Sequence, residues 1–424
     1  MSVTIARATR VLAAAASLFR ASSLMEQAPP RLDSRVLADR ARGAFYGALI
    51  ADALSMPVHW YYNPADIDRD FGGRVTTFHA PKPRHPSSIM TLSNTGGAGR
   101  GSQQGTIIGD VINHGKKHLW GVANQHYHVG MKAGENTLNA VVLRLLARTL
   151  SADADLPRAL ASRPYSPSAF LGAYIAFMRT PGSHNDTYAE TWHRMFFSNL
   201  VAGRSPEECA DDDGHNIDSA GGLVLLSLPS LLAAASAAGA NPARDALAAA
   251  ADAAVAQQMA THKSPRLARF SRVYASALAR VFLSPEGDSA ASLRSAATEA
   301  AKALGADVAA LASANSGPAG DRSVVGGGGA FTSACYIEGS LLALLYFATK
   351  YAAAPAEALI SNTNVGGENC HRGAALGALV GAAHGMSAWE GSPWVSTLAD
   401  APAIAIEADA FAAAVVAAFE EGGA

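Results

Sequence analysis

Along most of the chain apolar residues recur three or four positions apart, the spacing of one helix face, and no run alternates apolar with polar as a half-buried strand would. A helix is predicted from Leu37 to about Pro57, followed by the aromatic loop VHWYYNP, Val58 to Pro64. Leu138, Val141, Val142, Leu145 and Leu146 mark the buried stripe of another, with Asn136 or Thr137 as its N-cap. Ala-rich helix is expected from Pro242 to Met259, and in THKSP Ser264 caps a helix that Pro265 begins. Ser333 to Lys350 is apolar almost all round and so is placed centrally.

A second period overlies the first in two places. Gly373, Gly377, Gly381 and Gly385 are four apart, and so are Gly43, Gly47 and Ala51. Each interior glycine costs a helix about 1 kcal/mol relative to alanine. Such a stripe makes sense where another helix packs backbone to backbone, so these two helices are predicted to be partners. The fold class expected is all-α, a single domain of more than ten helices over 37–424.

Composition adds limits. A hydrophobic content of 49% with 16% charged residues in 424 indicates a folded chain with a large core. The net charge of −2 gives no electrostatic reason to expect nucleic acid or an anionic membrane as partner. The most apolar segment, Leu223 to Ala240, is interrupted by Pro229 and serines and does not read as a membrane span. Cys209, Cys335 and Cys370 lie far apart in no zinc spacing, which suits a reduced, intracellular compartment. Residues 1–36 carry Arg7, Arg10 and Arg20 before the first acid, Glu26, the pattern of a mitochondrial or plastid transit peptide, with a secretory signal, an ordinary N-terminal helix or a disordered segment as the alternatives.

Polar residues gather where helices begin. Gly134-Glu135-Asn136-Thr137 and Gly367-Glu368-Asn369-Cys370 both set Gly-Glu-Asn at a helix start, and His371 follows the second. Asp52 and His59 lie near the end of the first helix. In SHNDTYAETWH, Thr187 and Glu190 fit a capping box, leaving Asp186 as the residue without a local role. His114 with His118, and His126 with His128, lack a third ligand nearby and read as surface or core histidines. The glycine-rich stretch around Arg100 offers backbone amides to a phosphate or serves as a flexible linker.

GAFYGALIADALSMPVHW, GENT, HNDTYAE, THKSP and NTNVGGENCHRGAALGALVGAAHG, in that order, resemble the ADP-ribosylglycohydrolase family, most closely its J-type lens crystallin-like branch. The resemblance implies a compact all-α fold with a magnesium-containing cleft that cleaves at the anomeric carbon of an ADP-ribosyl substrate. At the matching positions of this chain, Glu135, Glu368 and His59 are the candidate catalytic residues, and Asp52, Asn136, Gly366, Gly367, Asn369 and His371 the candidate substrate contacts. The resemblance places Glu135, Asp186 and Glu368 as ligands of Mg2+. The chain departs from the family pattern where His59, Asn136, Cys370 and His371 replace acids and a threonine, and nitrogen and sulfur are poor magnesium ligands. Two other readings follow from those departures: a catalytically silent ligand-binding or crystallin-like protein, or a thiol chemistry built on Cys370, His371 and His59.

Overall fold

The computed structural model describes residues 32–101, 103–240 and 244–422; residues 1–31, on which most of the transit-peptide reading falls, lie outside them. The chain divides into two units, residues 1–33 and 34–424. The second is all helical, and among the described residues only isolated β-bridges occur.

The first helix, α1 (Ser34–Ser55), is buried along nearly its whole second half. Its partner is the glycine-striped helix, numbered α9 below (Asn369–His384), as the shared four-residue period requires. At Gly47 and Gly377, and again at Gly43 and Gly381, a methyl group on either glycine would overlap a backbone carbonyl of the other helix. No side chain separates the two backbones at those points. Trp389 seals the flank of the crossing, its indole Nε1 donating to the Gly43 carbonyl at 2.9 Å.

Between them in sequence come α2 (Leu138–Ala152), α3 (Ser168–Arg179), α4 (Thr191–Val201), α5 (Ser227–Gly239), α6 (Ala246–Met259), α7 (Pro265–Phe282) and α8 (Ile337–Lys350). After α9 comes α10 (Ala401–Glu421), which packs on α1 and α5. Ser264 caps α7 as expected, accepting from Leu267 N at 3.1 Å, with Pro265 in the first position. The apolar stretch Ala220–Gly239 is long and hydrophobic enough to cross a membrane, yet is wholly buried inside the protein. Its Ser230 hydroxyl donates to the Leu226 carbonyl at 2.7 Å, so the polar group is satisfied within the helix itself. The central apolar helix begins at Ile337, later than the pattern suggested, because residues 333–335 bend and Tyr336 bridges to Ser219 before it.

Candidate functional site

The end of α1 and the starts of α2, α4 and α9 meet at one place, and polar side chains from all four tie them together. Asp52, fully buried, accepts from Thr137 Oγ1 at 2.6 Å, Thr137 N at 2.8 Å and Asn136 Nδ2 at 2.9 Å. Burial pushes its carboxyl above the usual range, and the Thr137 and Asn136 bonds work against that rise. Thr137 is the N-cap residue of α2, but its hydroxyl is used on Asp52 rather than on the helix. Asp52 and Asn136 therefore stand behind the site, as the joint between α1 and α2.

A continuous chain of side chains runs in front of that joint. Asp186 Oδ1 lies 2.8 Å from His128 Nδ1, His128 Nε2 lies 2.7 Å from His59 Nδ1, and His59 Nε2 lies 2.9 Å from Glu368 Oε1. His371 Nδ1 approaches Glu368 Oε1 at 2.7 Å and Glu190 Oε1 at 3.4 Å. That ring nitrogen is thus set between two carboxylates. Asn139 closes the row, donating to Glu190 Oε2 at 2.6 Å and lying 3.1 Å from His371 Nε2. Asn139 Oδ1 is in turn held by His193 Nε2 at 2.8 Å.

Burial and charge compete along this row. Burial pushes His59 down to about 3, against the pull of Glu368. Burial would lower His371 as well, but Glu190 and Glu368 outweigh it and hold the ring up at about 10. Glu368 lies well below the usual carboxylate range: its burial is overridden by His371 and His59. Glu190 moves the other way, raised by burial that His371 only partly offsets. Two carboxylates facing one imidazole are thus driven apart in acidity.

Trp60 anchors the loop that presents His59. It has a left-handed backbone, φ 63°, a conformation that costs a bulky residue about 1–3 kcal/mol. Three contacts hold it there: its N–H donates to Gly367 O at 2.8 Å, its indole donates to Glu368 Oε2 at 2.6 Å, and its ring stacks on His59 with centroids 3.8 Å apart. Gly366 and Gly367, at φ 71° and 66°, make the reciprocal half of the clasp, with Gly367 N donating to Tyr61 O at 2.7 Å. Only glycine suits these two positions, since a Cβ would strike Tyr61 O or Ser333 O. Asn369 donates to Thr363 O at 2.9 Å and Val58 O at 3.3 Å, bracing the same loop.

The row opens onto a cavity of about 400 Å³. Glu190 forms part of its wall, with Trp60, Tyr127, Tyr188 and Trp192 giving aromatic faces. The glycine-rich segment adds Ala98, Gly99 and Arg100 to the lining. That segment is fixed by buried Arg194, which donates to Gly97 O at 2.8 Å, to Ala189 O at 3.2 Å and also to Asn94 O.

The placement of the sequence candidates divides cleanly. His59, Asp186, Glu368 and His371 come together in the row. Asp52, Asn136, Gly366, Gly367 and Asn369 brace the elements that carry it. Glu135 does not join: half-buried, it accepts from Lys132 N at 2.7 Å and Asn185 Nδ2 at 2.9 Å. Glu190 has no part in a capping box, because α4 starts at Thr191 and Thr187 donates instead to Val129 O at 2.8 Å. Glu190, His128 and Asn139 are the members that sequence reasoning passed over. The Glu190-x-x-His193 pair was the signal, since both residues converge on Asn139. Cys370 is fully buried beside the Asp52 carbonyl, and burial pushes its thiol far up, so no thiolate is offered for nucleophilic chemistry.

Among the described residues, two groups of side chains are close enough to hold a metal ion, His59–Glu368–His371 and His59–His128–Cys370. Magnesium does not fit either. It requires an oxygen shell of near-octahedral geometry. Glu135 lies outside, and both Asp186 oxygens are taken, Oδ1 by His128 and Tyr188 N, Oδ2 by Leu138 N.

No curated protein matches the chain. A solved structure described as an ADP-ribosylglycohydrolase-related protein complex is similar at 17% identity, covering 92% of this chain and 99% of that one with a TM-score of 0.49. Residues 33–423 match the family model for ADP-ribosylglycohydrolase, and with that span the chain belongs to the ADP-ribosylglycohydrolase family.

Proposed function

We propose that the protein hydrolyses the glycosidic bond of an ADP-ribosyl or related N- or O-glycosidic substrate seated in the aromatic cavity, with Glu190 as the carboxylate that meets it. The observation that carries this reading is the position of Glu190. It is in the cavity wall and at the same time bound to Asn139 and beside His371.

Cleavage at an anomeric carbon builds oxocarbenium-like charge and needs one group to activate water and others to stabilise the cation. Glu190, raised by burial, is suited to take a proton from water, because a base works best with an affinity near the working pH. Asn139 fixes the orientation of its carboxylate. Glu368 stays ionised behind His371 and supplies negative charge to the developing cation. Trp60 and Tyr188 cover the row and exclude bulk water from it, and Arg100 at the rim suits a phosphate of the substrate.

The test is release of free ADP-ribose from ADP-ribosylated peptides by wild type and by Glu190→Gln. Loss of a positioned general base costs on the order of 10²–10⁴ in kcat. Full activity in Glu190→Gln would remove this residue from the chemistry. Calorimetric binding of ADP-ribose without turnover of any ADP-ribosyl substrate would establish a silent binding protein instead.

A further inference from the structure

The inner atoms of the row converge in a way the proposed hydrolysis does not require. His59 Nε2, Glu368 Oε1 and His371 Nδ1 lie within 4.8 Å of one another, on three side chains at most 2% exposed. Glu190 Oε1 is 3.4 Å from the same His371 nitrogen. Four ligands around a tetrahedral ion with bonds of about 2.1 Å stand about 3.4 Å apart. The 2.7 and 2.9 Å separations at Glu368 need to open by about 0.5–0.7 Å to reach that spacing. A cavity of about 10 Å³, room for one water or one ion, is lined by His59, Asn139, Glu190 and His371.

The outer atoms of Glu368 and His59 are held as metal ligands usually are. Glu368 Oε2 takes the Trp60 indole at 2.6 Å, and His59 Nδ1 leans on His128, which leans on Asp186. With an ion on His59 Nε2, His59 Nδ1–H donates to His128 Nε2 and His128 Nδ1–H donates to Asp186, so every bond of that chain is made. Two carboxylates also face His371 Nδ1, a field that favours a dication.

We infer that His59, Glu368 and His371 form a binding site for a borderline divalent ion of the zinc type, its fourth position open beside Glu190, rather than for magnesium. Imidazole nitrogens and a low ligand number select such an ion. The inference concerns binding alone, so it stands or falls separately from turnover.

Chelator-stripped protein is titrated with Zn2+ and, separately, with Mg2+ by calorimetry, and metal content is read by atomic emission after desalting. One equivalent of Zn2+ per chain is expected, at least about 100-fold tighter than Mg2+. His371→Ala and Glu368→Gln, checked for fold by circular dichroism, should each weaken Zn2+ at least tenfold. His128→Ala should weaken it about 10–100-fold through loss of support to His59, and exposed His118→Ala should leave it unchanged. Should the buried variants fail to fold, Co2+ added to wild type gives the visible absorption of a nitrogen- and oxygen-ligated tetrahedral ion. Absence of stoichiometric Zn2+, equal or tighter Mg2+, an octahedral Co2+ spectrum, or wild-type affinity in folded His371→Ala would each overturn the assignment.

Discussion

Replacing Gly377 by alanine tests the backbone contact between α1 and α9. The added methyl would overlap the carbonyl of Gly47, which no rotamer change can move aside. Overpacking a closed core costs about 1–3 kcal/mol, and a rigid backbone neighbour places this site at the upper end. Alanine returns about 1 kcal/mol of helix propensity, leaving a net loss of about 2 kcal/mol. Gly172 supplies the internal control: it lies inside α3, exposed, with nothing within 4 Å of an added Cβ. Gly172→Ala should therefore stabilise by up to about 1 kcal/mol. Equilibrium urea unfolding of the two variants beside wild type reads both effects, with an unchanged m-value guarding the comparison. If Gly377→Ala were neutral or stabilising like Gly172→Ala, the two helices would not be in backbone contact and the reasoning would be refuted.

His262 is pushed down to about 3 by burial, so below its unfolded value of 6.5 the unfolded chain binds a proton that the native one does not. Stability should be fully present above pH 6.5 and fall as pH drops toward 3, by about 1.4 kcal/mol per unit for this residue. Folded His262→Gln should show a slope shallower by that amount between pH 4 and 6 in denaturant titrations, and an unchanged slope would contradict the account. Asp52→Asn places an amide NH2 among three donors and should cost about 1–3 kcal/mol in urea unfolding. Arg194→Lys cannot reproduce the fork that grips residues 94–97. Its folded form should expose that loop to protease at rates clearly above wild type.

The packing half of this protein was legible because helical periodicity is local. Gly43, Gly47, Gly377 and Gly381 announce a close approach through their spacing, and Ser264-Pro265 announces a helix start through its chemistry. The polar row was less legible because its partners are distant in sequence. In the sequence Glu190 matches a capping box with Thr187 that the fold does not form, and nothing in its own neighbourhood reveals Asn139, 51 residues earlier. Glu135 and Glu368 share the same local Gly-Glu-Asn, yet Glu368 is covered by the strained Trp60 loop and Glu135 is not. Burial, which decides their chemistry, depends on what folds over each.

His59 and Glu368 are 309 positions apart. At synthesis rates of about 5–20 residues per second, α1 waits roughly 15–60 s for the helix that completes it. During that interval its small-residue stripe has no partner, and closing so long a loop is among the slower steps available to a folding chain. The site is therefore among the last parts of the fold to be assembled during synthesis, and its early half is the stretch most in need of shielding from wrong partners until the glycine helix emerges.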